Sequence, residues 1–268
     1  MKYEMLVLDL DGTLTNSEKK ITPPTREAII EIQESGKKVV LASGRPTPGI
    51  TPLAEELHLK DYGSYILSFN GARIIDCRTG ESIYNKTVPN NVIPEIYEMV
   101  KDYDVDLITY TDTEILSGIK PNQYTEIESR ICNLDIVSVN NFAEAIDFPV
   151  NKLLIPGDPS LTVQLEKILK EKFHSFLNIY RSEPFFLEIM PQNIDKAHSL
   201  QKLLNSIGMT AEQMICCGDG YNDLTMIEYA GLGVAMENAQ PIVKEKADYV
   251  TKSNDEDGVL YVIDQFMR

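Results

Sequence analysis

The stretch Met5-Leu6-Val7-Leu8-Asp9-Leu10-Asp11-Gly12-Thr13 sets four apolar residues directly before two closely spaced acids. The apolar run reads as a buried strand, and the acids lie at its mouth, where Gly12 suits a backbone turn. If the strand continued through Asp11, the two acids would share one of its faces. Carboxylates that close repel one another unless a cation or a proton lies between them. Magnesium is the expected cation. Read alone, the stretch is equally an acidic turn between a strand and a helix, so the rest of the chain has to decide.

Outward from this strand the pattern alternates. A helix is expected over 23–35, with Thr22 as N-cap, Pro23 and Pro24 in the first turn, an apolar stripe at Ala28, Ile29 and Ile32, and Gly36 after its end. A strand over 38–42, a helix over 48–57, a strand over 65–69 and a hairpin over 73–76 and 82–88 follow. After about residue 89 the grammar changes to mixed short strands and helices, which reads as an α+β insertion. Helix and strand alternation then resumes with a helix over 196–206, strands over 214–217 and 232–235, a helix over 223–230 and a terminal helix over 259–266. The fold class expected is therefore α/β: a Rossmann-like parallel-sheet core with helices on both faces, plus an inserted α+β cap domain. The divisions expected are 1–83 and 190–268 for the core and 84–189 for the cap.

Composition narrows the function. At 268 residues, with 43% hydrophobic and 25% charged residues, the chain can bury a sizeable core. It has neither a membrane-spanning run nor a signal-peptide pattern at its start, so a cytoplasmic location is expected. Cys77, Cys132, Cys216 and Cys217 lack metal or redox spacing and read as small buried hydrophobes. Acids outnumber bases 41 to 25, and the net charge of −16 argues against nucleic-acid partners. An anionic ligand would need local positive charge from a metal, a lysine or a helix N-terminus.

Four segments fall where strands end or helices begin, which is where open parallel sheets form ligand crevices. They are Asp9-x-Asp11, Ser43-Gly44-Arg45, Lys196 and Gly218-Asp219-Gly220-Tyr221-Asn222-Asp223. Together they meet the demands of phosphoryl transfer, which asks for a nucleophile, positioning and neutralisation of charge. Asp9 can attack phosphorus and form an aspartyl-phosphate. Asp11 can protonate the leaving alkoxide and then deprotonate the attacking water, provided desolvation raises its pKa. Magnesium would take carboxylates of Asp9 and Asp219 and the main-chain carbonyl of Asp11, with Asp223 orienting a metal-bound water. The Ser43 hydroxyl and Gly44 N–H can hold phosphoryl oxygens, and Lys196 adds a mobile point charge. Arg45 either orients substrate or pairs with a carboxylate.

These ordered motifs resemble those of the haloacid dehalogenase (HAD) superfamily. The Ser-Gly-Arg motif, Phe69-Asn70-Gly71 and the place and size of the insertion are similar to Cof-like hydrolases with a C2-type cap. The resemblance implies a mobile cap over the active site and magnesium-dependent hydrolysis of small phosphomonoesters, often sugar phosphates. It assigns Asp9 as nucleophile and Asp11 as acid/base, with metal binding by Asp9, Asp11 and Asp219. Ser43, Gly44, Lys196 and Asn222 would contact phosphate or substrate, and Arg45 and Asn70 join them as candidates. Ala197 follows Lys196 where these proteins often have glycine. The alternatives are a sugar phosphomutase and a non-catalytic phosphometabolite sensor.

Other residues carry less. His58, His174 and His198 are scattered and read as surface or locally bonded side chains. Tyr110, Tyr124 and Arg181, in the insertion, either meet a sugar or pack locally. Asp255-Glu256-Asp257 reads as a solvated loop before the last helix.

Overall fold

In the computed structural model, which describes residues 2–268, the first strand ends at Leu8, one residue before the first acid. In chain order this strand, β1 (Met5–Leu8), is followed by α1 (Pro23–Glu34), β2 (Lys38–Ala42), α2 (Thr51–Glu56), α3 (Leu59–Tyr62), β3 (Tyr65–Ser68), β4 (Arg73–Asp76) and β5 (Ser82–Asn85). Then come α4 (Ile93–Val100), β6 (Ile108–Tyr110), β7 (Glu114–Ser117), α5 (Gln123–Cys132), β8 (Asp135–Ser138), α6 (Phe142–Ala145), β9 (Leu153–Pro156), α7 (Pro159–Phe173), β10 (Leu177–Glu183) and β11 (Phe186–Pro191). The last stretch holds α8 (Lys196–Ile207), β12 (Met214–Gly218), α9 (Leu224–Tyr229), β13 (Leu232–Ala235), α10 (Pro241–Lys246), β14 (Tyr249–Val250) and α11 (Gly258–Phe266). The chain forms two compact units, one running to Tyr84 and joined by Asp195–Arg268, the other Asn85–Ile194.

The first unit is built on an eight-stranded sheet in the order β14-β13-β12-β1-β2-β3-β4-β5. Its strands from β14 to β3 are parallel, and β4 returns antiparallel to β3. Alternation along β1 explains the layers. Leu6 and Leu8 join Ala28, Ile29 and Ile32 of α1 and Val259, Val262 and Ile263 of α11 in one buried cluster. Met5 and Val7 join Leu200, Leu203 and Leu204 of α8 and Met226 of α9 in another. With both faces covered, the central parallel strands β1, β12 and β13 are apolar along their length, as a buried parallel sheet requires. Cys217 lies in the first cluster and Cys216 in the second, so the adjacent thiols serve opposite layers as small hydrophobes. Burial pushes the Cys217 thiol up to about 12. Cys132 is likewise buried, whereas Cys77 is half-buried.

Helix α1 starts as its sequence indicates. The Thr22 side chain accepts from the Thr25 N–H, two prolines occupy the first turn, and Gly36 adopts φ 95° beyond the end. In the 255–257 run Asp255 and Glu256 are exposed, as expected of a solvated loop before the last helix, but two of its acids also make specific bonds. Asp255 accepts from the Ser17 N–H and hydroxyl at 2.8 and 2.6 Å, and Asp257 accepts from the hydroxyls of Thr22 and Thr25. Asp257, just before α11, thus ties the last helix to the start of the first, and Asp255 ties the same loop to Ser17. The 48–57 helix is also interrupted: a 3₁₀ turn over Thr47–Gly49 gives way to α2, where Pro52 lacks the N–H a continuous helix would use. Helices α3, α6 and α10 and strand β14 have two to six residues each and escape a periodicity reading. Among the described residues, no helix is long and apolar enough to cross a membrane.

The second unit carries a six-stranded sheet in the order β10-β11-β9-β6-β7-β8, antiparallel except for β7 and β8. Leu153, Ile155, Leu187 and Ile189 from this sheet, with Leu107 just before β6, cluster with α4, α7 and Phe142. The opposite parity adds polar groups to buried Ile108, Leu154 and Met190. Tyr110 is buried and its hydroxyl donates to Glu128 at 2.6 Å, while Lys152 lies 3.6 Å from Glu188. Tyr124 stacks on Phe185 at 5.2 Å, and Arg181 pairs with Glu166 at 2.8 Å. Each of these side chains thus has a local packing role. Phe142 is fully buried, stacks with Tyr97, and lies so close to Gly118 that a Cβ there would sit 2.4 Å from its ring. Phe142→Ala should lower unfolding free energy by about 3–5 kcal/mol in equilibrium denaturation; a change within about 0.5 kcal/mol would contradict this packing.

Candidate active site

Strand β1 is the centre of the parallel sheet: the next strand in sequence, β2, flanks it on one side and the distant β12 on the other. A crevice opens beyond the carboxyl ends of strands at such a switch point. Asp9 follows β1 and Asp219 follows β12, and the Asp9 N–H bonds to the Cys217 carbonyl at 3.1 Å, fixing the two ends together.

Lys196, at the first turn of α8, enters this crevice from the other layer. Its ammonium donates to Asp9 Oδ1 at 2.6 Å, to Asp223 Oδ1 at 2.6 Å and to the Ala42 carbonyl at 2.8 Å. All three of its hydrogens are thereby engaged, and the side chain is 0% exposed. The expected mobile point charge is instead a fixed counter-ion, because burial between two acids removes its freedom. The paired acids hold its pKa well above the ordinary lysine value despite burial, which acts the other way.

Asp223 is equally constrained. Its Oδ2 accepts from the N–H groups of Asp219 and Gly220, each at 2.9 Å, so it shapes the loop that carries Asp219. Gly218 is required here, since a Cβ would lie 2.5 Å from that of Asp223. On the facing loop Thr13 donates its hydroxyl to Asp219 Oδ1 at 2.9 Å. Gly12, at φ 86°, leaves room for the same carboxylate, which a Cβ would approach to 2.5 Å. Thr13 adds to the expected site residues; it belongs to the Asp9–Thr13 stretch, and its hydroxyl is the feature that suits it to this role.

Carboxylate oxygens of Asp9, Asp219 and Asp223 lie within 4.8 Å of one another. Three carboxylates facing one ammonium leave excess negative charge, and hard oxygen donors suit magnesium. Burial first, then repulsion from Asp223, raises the Asp9 pKa well above the carboxylate range, with Lys196 opposing. Burial lifts Asp219 to about 6, the Thr13 hydroxyl opposing and Asp223 adding repulsion.

The Asp11 side chain does not join this cluster. The strand stops before it, so the expected shared face with Asp9 is lost, and the chain turns with an isolated bridge between Asp11 and Thr15. Arg45 binds the Asp11 carboxylate with two donors, Nε to Oδ2 at 2.8 Å and Nη2 to Oδ1 at 2.6 Å, and Lys19 adds a third bond at 2.8 Å. Burial acts to raise the Asp11 pKa, but these cations outweigh it and the net direction is down. That reverses the expected desolvation-driven rise. Lys19 had no signal in the sequence: it is one lysine in a polar stretch, and it reaches Asp11 from a backbone φ of 62°.

The remaining candidates converge around β2 and β3. Ser43 is buried, its Oγ accepts from the Arg45 N–H at 3.1 Å, and its carbonyl accepts from the Asn70 N–H at 3.0 Å. Phe69, Asn70 and Gly71 all have positive φ, a backbone form that costs energy at the first two. The Asn70 amide consequently lies against Gly44, 3.1 Å from where a Cβ would be, and accepts from Asn222 at 3.2 Å.

The family described as haloacid dehalogenase-like hydrolase matches residues 6–263. A 5-amino-6-(5-phospho-D-ribitylamino)uracil phosphatase of Bacillus subtilis is 32% identical over 97% of this chain and 94% of its own. A haloacid dehalogenase-like hydrolase of Bacteroides thetaiotaomicron has a solved structure with a TM-score of 0.96, 48% identity and coverage of 98% of this chain and 99% of that one. A solved HAD subclass IIB sugar phosphatase superimposes with a TM-score of 0.79, 27% identity and coverage of 98% and 99%.

The raised pKa of Asp219 has a consequence for the metal-free protein. Between its ordinary value, about 4, and about 6 the native carboxyl holds more protons than the unfolded one, so stability falls as pH rises through that window. Urea midpoints from pH 4 to pH 7 in chelator should show this downward component in the wild type and lack it in Asp219→Asn. Parallel pH profiles for the two proteins would contradict the assignment.

Proposed function

Because the chain belongs to the haloacid dehalogenase-like hydrolases and is a phosphatase of that family, we propose that it hydrolyses small phosphomonoesters, sugar phosphates in particular, through a phosphorylated Asp9. The observation that carries this reading is the buried Lys196, bonded at 2.6 Å to both Asp9 and Asp223. An ammonium so placed favours the ionised Asp9 that a nucleophile must be, against the burial that disfavours it.

Asp9 attacks phosphorus while the ester oxygen departs, taking a proton from Asp11, which can carry one only when bound substrate offsets the hold of Arg45 and Lys19 that keeps it ionised in the free protein. Water then attacks the phosphorylated Asp9 and loses a proton to Asp11, restoring the free carboxylate of Asp9. Ser43, Gly44 and Asn222 supply hydroxyl, backbone and amide donors for the phosphoryl oxygens. Magnesium, the expected cofactor, would be held by the carboxylates of Asp9 and Asp219 and the main-chain carbonyl of Asp11, and would offset charge on the phosphoryl group when bound. Asp223, whose oxygens already accept three N–H groups, contributes chiefly by holding Lys196 and the Asp219 loop.

Relatives that act on a phosphorylated ribityl chain and on sugar phosphate support a substrate whose phosphate sits on a polyhydroxylated carbon chain. The net charge of −16 opposes polyanionic partners and suits a small metabolite drawn in by local positive charge.

Phosphate release should be measured on sugar phosphates, sugar-alcohol phosphates, nucleotides and an aryl phosphate, with magnesium and with chelator. Turnover should require magnesium, vanish in Asp9→Asn, and fall by about 10²–10⁴ in Asp11→Asn. Transfer of the phosphoryl group between sugar positions without release would favour a mutase instead, and full activity in Asp9→Asn would refute the nucleophile.

A further inference from the structure

Arg45 stands apart from the other candidate site residues in what it touches. Its guanidinium grips both oxygens of Asp11, at 2.6 and 2.8 Å, and a further N–H reaches the Gly49 carbonyl at 3.3 Å. Its backbone is pinned as well: the N–H donates to Ser43 Oγ at 3.1 Å and the carbonyl accepts from the Phe69 N–H at 3.0 Å. Phe69 itself is held at φ 52°. The side chain is 15% exposed, whereas Lys19, the other cation on Asp11, is 62% exposed. Arg45 is therefore a built-in fork and Lys19 an accessory.

A planar two-point grip fixes the plane of a carboxylate as well as its place, which a single ammonium does not. It also distributes the acceptor sites. Asp11 Oδ1 receives Arg45 Nη2 and Lys19 Nζ, while the bond made to Oδ2 among the described residues comes from Arg45 Nε. With about two acceptor positions per oxygen, Oδ2 retains one that points away from the fork.

We propose that Arg45 is the positioning residue that aims Asp11 Oδ2 at the attacking water during hydrolysis of the phosphorylated enzyme. This rests on the reading of Asp9 and Asp11 given above and deepens it. In the step concerned, the water oxygen forms a bond to phosphorus and one water O–H bond breaks, its proton passing to Asp11 Oδ2. The bond between phosphorus and the Asp9 oxygen breaks, and its electron pair returns to the Asp9 carboxylate. Inorganic phosphate and a protonated Asp11 result, and the proton then leaves to solvent. Arg45 touches neither the phosphoryl group nor the water; through its Nε bond to Asp11 Oδ2 it sets where the accepting oxygen points.

An aryl phosphate separates this role from others, because nitrophenolate leaves without a proton and the first step needs no help from Asp11. Stopped-flow release of nitrophenolate should be followed with magnesium for the wild type, Arg45→Gln and Arg45→Lys, with acid-quenched samples analysed for covalently bound phosphate. In Arg45→Gln we expect a burst of nitrophenolate, accumulation of phosphorylated enzyme, and a kcat lowered roughly hundred-fold while kcat/KM is unchanged. Arg45→Lys, which keeps the charge without the fork, should recover part of kcat. Rates are counted per burst site, so a fraction of misfolded protein lowers the amplitude without slowing turnover. A raised KM with unchanged kcat would make Arg45 a substrate-binding residue and overturn the proposal, as would phosphorylated enzyme that does not accumulate in Arg45→Gln. Nitrophenolate release with no phosphorylated protein in any of the three would instead overturn the underlying reading of Asp9.

Discussion

Burial of the Lys196 ammonium between Asp9 and Asp223 is the constraint on which the rest of the site depends. The two bonds join residues 187 and 27 positions apart in the sequence, so they form only when β1, α8 and the loop after β12 are all in place. Removing one partner from such a buried pair typically costs about 3–5 kcal/mol, because the remaining charge is left without compensation. The same cation therefore serves the fold and the chemistry. It steadies Asp9, whose own burial works against its ionisation, and holds Asp223 beside it.

Around that pair the sheet divides the labour. The strand ends place Asp9 and Asp219 at the switch point, and glycines at 12 and 218 leave room for the carboxylates of Asp219 and Asp223. Thr13 and Asp223 then orient Asp219 from its side chain and its backbone respectively. Asp11 belongs to a different electrostatic neighbourhood, governed by Arg45 and Lys19. Two carboxylates separated by one residue thus have opposite surroundings, and their pKa values move in opposite directions.

Much of this was legible in the sequence, for identifiable reasons. The parallel strands are short apolar runs buried on both faces, so β1, β2 and β13 could be read with their bounds as they stand. The acids were legible because paired carboxylates at a strand mouth are unusual away from a cation. What could not be read were long-range pairings. Nothing local to Lys196 distinguishes a buried counter-ion from a surface lysine, nothing near Arg45 decides between substrate and carboxylate, and the 255–257 acids meet their hydroxyl partners some 235 positions away. Helix α10 and strand β14 were missed because six and two residues are too few to show a period.

The most direct test of the account is to identify the residue that carries phosphate during turnover. Borohydride added during steady-state hydrolysis reduces an acyl phosphate to the corresponding alcohol, and peptide mass spectrometry then locates the altered side chain. The account requires homoserine at position 9 and nowhere else, formed only with substrate present. Homoserine at position 11 or 219, or an unaltered protein that nonetheless releases phosphate, would contradict it.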